Sequence, residues 1–338
     1  MKLKRREIAF YTIWVFVIVV TAALLFAVWG IKRANENQMM PEEKVKKYKY
    51  HYMLIQKKFG DERSKSLYAG AKKAGEERDI FVENTEESAR AGDTIQEMLK
   101  TAIDANVDGI IVEADDSTTV AELINQASEK NIPVATVGKD SGDSKRKCFV
   151  GIDVKQAGIL YAERILEQYG NKPMNVTVLT DGKSADTRES VYREIEKNIK
   201  QSDIRVDKVD IQAENEFTSD EKIREIFLTQ GEKTDVLVCL SELDTICAYK
   251  AAVDYNMVGK IKIIGYSAVE EVQEAICKGI VDSSITFQAN EIGEKAVQTL
   301  FALRNKKTVE SYVNVTVQMI EKDNLQMYRK EENNERKR

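Results

Sequence analysis

Side chains able to carry covalent or proton-transfer chemistry are few in this chain and widely separated. The single histidine, His51, opens an apolar strand-like run, away from the strand's carboxyl end where reacting groups collect in α/β sheets. Cys148, Cys239, Cys247 and Cys277 are far apart and show no metal-ligand spacing. Cys239 sits in an apolar run, and Cys247 and Cys277 in helical patterns, so buried free thiols are expected, with two unrelated disulfides as the alternative. Asp115-Asp116 is an acidic pair, yet it stands before a helix beginning at Thr118–Val120, where carboxylates stabilise the first turn anyway. No Gly-x-Ser-x-Gly elbow and no full Gly-x-x-x-x-Gly-Lys-Ser/Thr phosphate loop occurs. With no nucleophile set beside a base, the residues favour binding over catalysis, and no metal or cofactor is expected.

Charge narrows the partners. Against 56 acidic side chains stand 51 lysines and arginines, a net charge of −5 that leaves no basic excess for nucleic acid. Apolar content of 43% is enough for a sizeable core, and 32% charged residues give a soluble, mixed surface.

One segment stands apart. Ile8 to Ile31 is an uncharged apolar run of 24 residues. As a helix it reaches roughly 36 Å, enough to cross a hydrocarbon core of about 30 Å. Lys2, Lys4, Arg5 and Arg6 precede it, so the basic bias keeps residues 1–7 in the cytoplasm and sends everything after Arg33 across the membrane. Trp14 and Trp29 lie toward the ends, where interfacial aromatics are favoured. A cleaved signal peptide is the alternative, but its apolar region is shorter, about 7–15 residues, and ends in a small-residue cleavage site. The reading is an uncleaved anchor over 8–31, a polar linker over 32–49, and a lipid bilayer among the partners.

Beyond the linker, strand-like runs alternate with amphipathic stretches. Strands are predicted at Tyr50–Gln56, Ile80–Asn84, Gly109–Glu113, Pro133–Val137, Phe149–Ile152 and Asn175–Thr180, then at Val206–Ile211, Val236–Leu240, Ile261–Tyr266, Ser283–Thr286 and Tyr312–Val317. Ser64–Arg78, Ala89–Ala105, Val120–Lys130 and Ala157–Tyr169 carry apolar residues at three- and four-residue spacing. Val- and Ile-rich strands separated by helices argue for parallel sheets covered on both faces. Residues 325–338 read as a charged, solvated tail.

An internal repeat adds a second lobe. Val107-Asp-Gly-Ile-Ile-Val-Glu resembles Thr234-Asp-Val-Leu-Val-Cys-Leu, and Ile132-Pro-Val-Ala-Thr-Val-Gly resembles Gly259-Lys-Ile-Lys-Ile-Ile-Gly. Asp108 to Asp235 and Gly138 to Gly265 are both 127 positions apart, which places the two glycines at corresponding strand ends facing one cleft.

These motifs, in this order, resemble the type I periplasmic sugar-binding proteins, which include the ribose-binding proteins and the ligand core of lactose-repressor-like regulators. Gly151-Ile-Asp-Val-Lys-Gln-Ala-Gly resembles the segment entering that family's second lobe, and Ser184…Arg188-x-x-Val-Tyr its Ser…Arg-x-x-Gly-Phe pattern. Ile263-Ile-Gly-Tyr-Ser resembles its Val-Gly-Phe-Asp strand end, and Asn290-Glu-Ile-Gly the helix after the return to lobe 1. The resemblance runs from Tyr50 to Asn324. It implies an α/β fold of two Rossmann-like lobes with parallel sheets joined by three crossovers, preceded here by one transmembrane helix. Lobe 1 would be residues 50–151 plus 288–311, and lobe 2 residues 152–287 plus 312–324.

Sugar sites in that family use carboxylates, amides, an arginine and aromatic rings. Carried over, the resemblance implies ligand contacts from Lys58, Phe59, Glu113, Lys139, Arg188, Phe217, Ser241, Ser267 and Gln288. The chain departs from the pattern in several places. Gly138 precedes Lys139 where an aspartate is usual, Ser267 ends Gly-Tyr-Ser where Gly-Phe-Asp is usual, Ser241 replaces an amide or carboxylate, and Phe287 stands where a glutamine is expected. Fewer carboxylates, with Lys57, Lys58, Lys139 and Arg188 gathered nearby, suit an anionic or less hydroxylated ligand. The expectation is a membrane-anchored extracytoplasmic solute-binding protein for a sugar or sugar-like molecule, anionic ones included. It would serve an import permease or a sensor kinase, or else act as a ligand-free interaction module.

Overall fold

The structure, a computed structural model, describes residues 19–27, 29, 47–56, 62–85, 93–115, 117–170, 172–182, 187–200, 203–211, 216–230 and 233–335. The chain divides into two units, Met1–Tyr48 and Lys49–Arg338. In the first, residues 19–27 and 29 are helical and exposed. Among the described residues no helix is long and apolar enough to cross a membrane. The remainder of the expected span over 8–31, with residues 1–7 and 32–46, lies outside the described residues.

The second unit carries two six-stranded sheets of equivalent strand order. The first has the order β2-β1-β3-β4-β5-β11, from β1 (Tyr50–Ile55), β2 (Ile80–Asn84), β3 (Gly109–Val112), β4 (Val134–Val137), β5 (Cys148–Ile152) and β11 (Tyr312–Val315). The second has the order β7-β6-β8-β9-β10-β12, from β6 (Met174–Thr180), β7 (Ile204–Asp210), β8 (Val236–Cys239), β9 (Lys262–Tyr266), β10 (Ser283–Phe287) and β12 (Val317–Glu321). Every pairing is parallel except β10 with β12. The central strands β3, β4 and β8 are buried at every residue, as expected for apolar runs covered by helices on both faces.

The helices are α1 (Glu62–Glu76), α2 (Ile95–Asp104), α3 (Thr118–Glu129), α4 (Val154–Gln168), α5 (Thr187–Asn198), α6 (Glu216–Gln230), α7 (Glu242–Asp254), α8 (Glu270–Cys277), α9 (Ala289–Arg304) and α10 (Leu325–Glu335). After β5 the chain crosses into lobe 2 as α4, and after β10 it returns to lobe 1 as α9. One apolar core runs from Tyr52, Leu54 and Ile111 through Ile152, Ala157 and Tyr161 to Val176 and Val238, so the lobes share an interior at the crossovers.

The repeat is structural, with one correction. The Asp108 carboxylate accepts the His51 N–H at 2.9 Å while its own N–H donates to the His51 carbonyl at 2.7 Å. Asp235 does the same with Asn175, at 2.7 and 2.9 Å. One strand later the offset changes. Ile110 pairs with Val134 whereas Leu237 pairs with Ile263, so 237 − 110 = 127 becomes 263 − 134 = 129. The counterpart of Gly138 is therefore Ser267 rather than Gly265, and both leave their strands with positive φ, +67° and +87°.

Three other expectations are revised. The predicted strand Tyr312–Val317 is two strands, and Tyr312–Val315 pairs with β5 in lobe 1, so the third crossover falls at Thr316 instead of Ser311. The cause is Tyr312, whose ring packs edge-on against Phe149 at 5.0 Å and whose hydroxyl donates to the Ile152 carbonyl at 2.9 Å. The tail forms α10, because Leu325 and Tyr328, one helical turn apart, are both buried in the lobe 2 core. Cys148, Cys239 and Cys247 are buried free thiols, but Cys277, in the last turn of α8, is exposed.

Helix α9 meets α1 backbone to backbone. A Cβ on Gly70 would lie 1.9 Å from the Asn290 carbonyl oxygen, and one on Gly293 2.0 Å from that of Leu67. Gly70→Ala is expected to cost about 1–3 kcal/mol in urea unfolding, as overpacked cores do. Gly170→Ala, with nothing within 4 Å, should change stability little. Burial pushes the Cys148 thiol up to about 12 and the Cys239 thiol well above its ordinary value, so both stay protonated at pH 8. A thiol reagent should titrate one cysteine per native chain and four after unfolding.

Candidate functional site

The strand order 2-1-3-4-5 reverses direction between β1 and β3, and the equivalent reversal in lobe 2 lies between β6 and β8. Polar side chains gather at the carboxyl ends of these strands, where open α/β sheets bind ligands. In lobe 1 the end of β1 is tied down by Gln56, whose buried amide donates to the Ser64 carbonyl at 3.3 Å. This fixes the start of α1, which presents Arg63. Glu113, just past β3, faces Arg63 with 3.6 Å between guanidinium and carboxylate. Gly138 lies directly against both: a Cβ there would stand 3.0 Å from Arg63 Nη2 and 3.0 Å from Glu113 Oε1.

In lobe 2, Asp181 follows β6 and Asp244 sits in the first turn of α7; both are buried. Between them lies Arg188, in the first turn of α5, with Nη2 2.9 Å from Asp181 Oδ2 and Nη1 3.5 Å from Asp244 Oδ2. The other oxygen of Asp244 accepts the hydroxyl of buried Ser219 at 2.9 Å. Below the site, the buried Tyr161 hydroxyl lies 3.0 Å from the Gly265 carbonyl and 3.3 Å from that of Cys239, joining the ends of β9 and β8.

Two aromatic rings stand where the lobes meet. Tyr266, ending β9, and Phe287, ending β10, have centroids 6.0 Å apart. Arg63 reaches over from lobe 1 to lie 6.0 Å from the centre of the Phe287 ring, within cation–π range. Burial pushes the Tyr266 phenol up to about 12, against a lowering pull from Arg63 and with a further push from Glu242, so it stays a neutral hydrogen-bond donor at physiological pH.

The residues singled out from the sequence fare differently. Glu113 and Arg188 lie in the clusters just described. Lys139 is half-buried, with its N–H donating to the Val137 carbonyl at 2.7 Å. Ser241 caps α7, its hydroxyl accepting the Asp244 N–H at 3.1 Å, which places Asp244 against Arg188. Ser267 donates to Glu242 at 2.6 Å from a left-handed backbone that favours glycine. Gln288 is the half-buried N-cap residue of α9, with no side-chain capping bond. Phe217 is 75% exposed on α6 and takes no part in the core. Lys57, Lys58 and Phe59 fall outside the described residues.

Arg63, Asp181, Asp244, Ser219 and Tyr266 were not legible as site residues. Asp181 follows the predicted strand Asn175–Thr180, a placement close to that of Glu113, but Asp181-Gly182 reads as a turn. Asp244 looks like an ordinary first-turn acid behind the Ser241 cap. Its carboxylate joins the lobe 2 cluster through Arg188 and Ser219. Two buried carboxylates face Arg188, so its charge is met within the protein and does not add to a positive cluster, contrary to the expectation from sequence.

Removing Arg188 takes the guanidinium away from two buried carboxylates. Arg188→Ala is expected to lower the stability of the ligand-free chain by about 2–3 kcal/mol, less than the full penalty for a wholly buried pair because the guanidinium is partly solvated. Chemical denaturation checks this, and Arg193→Ala, on an exposed side chain of the same helix, should cost far less.

Residues 53–308 match the family model described as periplasmic binding protein domain. No curated protein matches the chain. GanP, a glucose-galactose binding protein from Geobacillus stearothermophilus, superposes with a TM-score of 0.71 at 26% identity, over 82% of this chain and 98% of that one. XylFII in its complex with LytSN gives 0.65 at 27% identity, over 81% of this chain and 98% of that one. AraP, an arabinose binding protein from Geobacillus stearothermophilus, gives 0.70 over 82% of this chain and 99% of that one, where 18% identity speaks to the fold alone. With three quarters of its length under that family model and the same two-lobed architecture in these structures, the chain belongs to the periplasmic binding protein family.

Proposed function

We propose that the chain is a membrane-anchored extracytoplasmic receptor that closes its two lobes around a sugar. The observation that carries this reading is the pairing of guanidinium with carboxylate at the carboxyl ends of both sheets, Arg63 with Glu113 and Arg188 with Asp181 and Asp244, beside the rings of Tyr266 and Phe287. A sugar hydroxyl both donates and accepts, so it is satisfied by an acceptor carboxylate next to a donor guanidinium, while the apolar face of the ring suits aromatic carbon. The similarity to GanP, named as a glucose-galactose binding protein, supports the same ligand class. Ligand in the cleft adds contacts to both lobes only in the closed form, so binding shifts the population toward closure.

The apolar run over 8–31 and its basic flank support a single-pass anchor with the lobes outside. The anchor keeps the receptor beside a membrane partner, an import permease or a sensor kinase. That XylFII is held in a complex with LytSN supports a protein partner for the closed or open form.

Two measurements test the proposal. A thermal-shift screen of the full chain in lipid nanodiscs, free of glycosidic detergent, should show a rise in melting temperature with at least one monosaccharide. A ligand at 100 times its Kd adds about 2.7 kcal/mol. If no monosaccharide, polyol or sugar acid raises it, the interaction-module reading takes its place. For topology, a membrane-impermeant maleimide added to intact cells should label the exposed Cys277. Labelling only after lysis would place the lobes on the other side.

A further inference from the structure

We infer that Glu291 and Lys295, on the first two turns of α9, form a brace on the third crossover that sets the balance between open and closed lobes from outside the two rim clusters. This rests on the lobe closure proposed above and not on which ligand fills the cleft. The third crossover runs between the other two. Val315 lies beside Ile152 in lobe 1, and Val317 lies beside Phe287 in lobe 2. Thr316 is therefore the residue at which the chain changes sheets, and a rotation of one lobe on the other turns the backbone there.

A residue between two ladders must find another acceptor for its N–H. The Thr316 N–H donates to Glu291 Oε2 at 3.3 Å. Glu291 Oε1 lies 2.8 Å from Lys295 Nζ, one turn along α9, and that ammonium donates to the Asn314 carbonyl at 2.5 Å. From the other side the Asn314 amide donates to Asp153 Oδ2 at 3.3 Å, and the Asp153 N–H to the Val315 carbonyl at 3.1 Å. Asp153 Oδ1 meanwhile caps α4 by accepting the Gln156 N–H at 3.0 Å. Residues 314–316 are thus held between the starts of α4 and α9, the helices that follow the first and second crossovers.

The brace is not inherited from the repeat. Counted from the N-cap residues Asp153 and Gln288, with Gly158 matching Gly293, α4 carries Gln156 and Leu160 where α9 carries Glu291 and Lys295. Its action follows from direction and exposure. An N–H···O bond weakens steeply as its angle closes, so turning the Thr316 peptide away from Glu291 loses it. Helix α9 cannot follow, because its backbone is pressed against α1 at Gly293. Thr316 is exposed, and the Glu291 and Lys295 side chains are 27% and 32% exposed, so water takes over the freed groups. Losing the brace therefore changes which lobe angles are populated more than it changes folding stability.

The test uses the full chain in nanodiscs, with one spin label on exposed Cys277 in lobe 2 and one on an introduced Lys100→Cys in lobe 1. Without ligand, Glu291→Ala and Lys295→Ala should each shift or broaden the distribution of label-to-label distances. Glu291→Gln, which keeps an acceptor for Thr316 and loses the ion pair, should lie between Glu291→Ala and the wild type. Glu294→Ala, whose carboxylate accepts from Gln298 on the same helix, is the control and should leave the distribution unchanged. Melting temperatures of the Glu291 variants should stay close to that of the control. By calorimetry, affinity for the monosaccharide found for the wild type should change about threefold or more in Glu291→Ala, as a shift in the competent fraction requires. A Glu291→Ala distribution that superimposes on the wild type overturns the brace, and so does an equal change in Glu294→Ala. If no monosaccharide binds the wild type while Glu291→Ala alone alters the distances, the function proposed above fails and the brace stands.

Discussion

What the two lobes do together depends on where the backbone passes between them. It crosses after Ile152, after Phe287 and at Thr316, each time at the carboxyl ends of the parallel strands. A parallel sheet must send every strand's carboxyl end to the same edge, so loops rich in polar side chains collect there. Joining the lobes at those edges places the two polar rims opposite one another and makes the crossovers the natural hinge. The shared core through Ala157 and Tyr161 holds that hinge without an interface of its own.

The first two crossovers are built alike. Asp153 and Gln288 stand as N-cap residues, and five residues later Gly158 and Gly293 let α4 and α9 press against α5 and α1. At Gly158 a Cβ would come within 2.3 Å of the Glu194 Cβ. Close packing of this kind fixes each lobe as a rigid body, so that movement is concentrated in the few residues between strand and helix.

Electrostatics in the site follows from burial. Asp181 and Asp244 are almost fully covered, and carboxylates so placed require a partner. Arg188 meets that need in lobe 2, while Arg63 and Glu113 pair at a more open rim in lobe 1. Asp140, which follows Lys139, is committed elsewhere: it accepts from Thr136, from the Ser141 N–H and from Arg146. The one carboxylate next to Lys139 in sequence is thereby engaged within the protein.

The sequence by itself determined the α/β class, the two-lobed plan and nearly every strand, because buried parallel strands need unbroken Val and Ile runs and the helices between them need apolar spacing of three and four. It also carried the repeat, through aspartates that cap a neighbouring strand. What it did not contain was register. A two-residue shift made Ser267 the partner of Gly138, and a single tyrosine drew residues 312–315 into the other lobe. Nor did it reveal Arg63 or Asp244, since a first-turn arginine and a first-turn aspartate look alike whether they face solvent or a cleft. Local pattern records which residues must be buried. Which charged groups meet is decided by how two sheets, some hundred residues apart in the chain, are brought edge to edge.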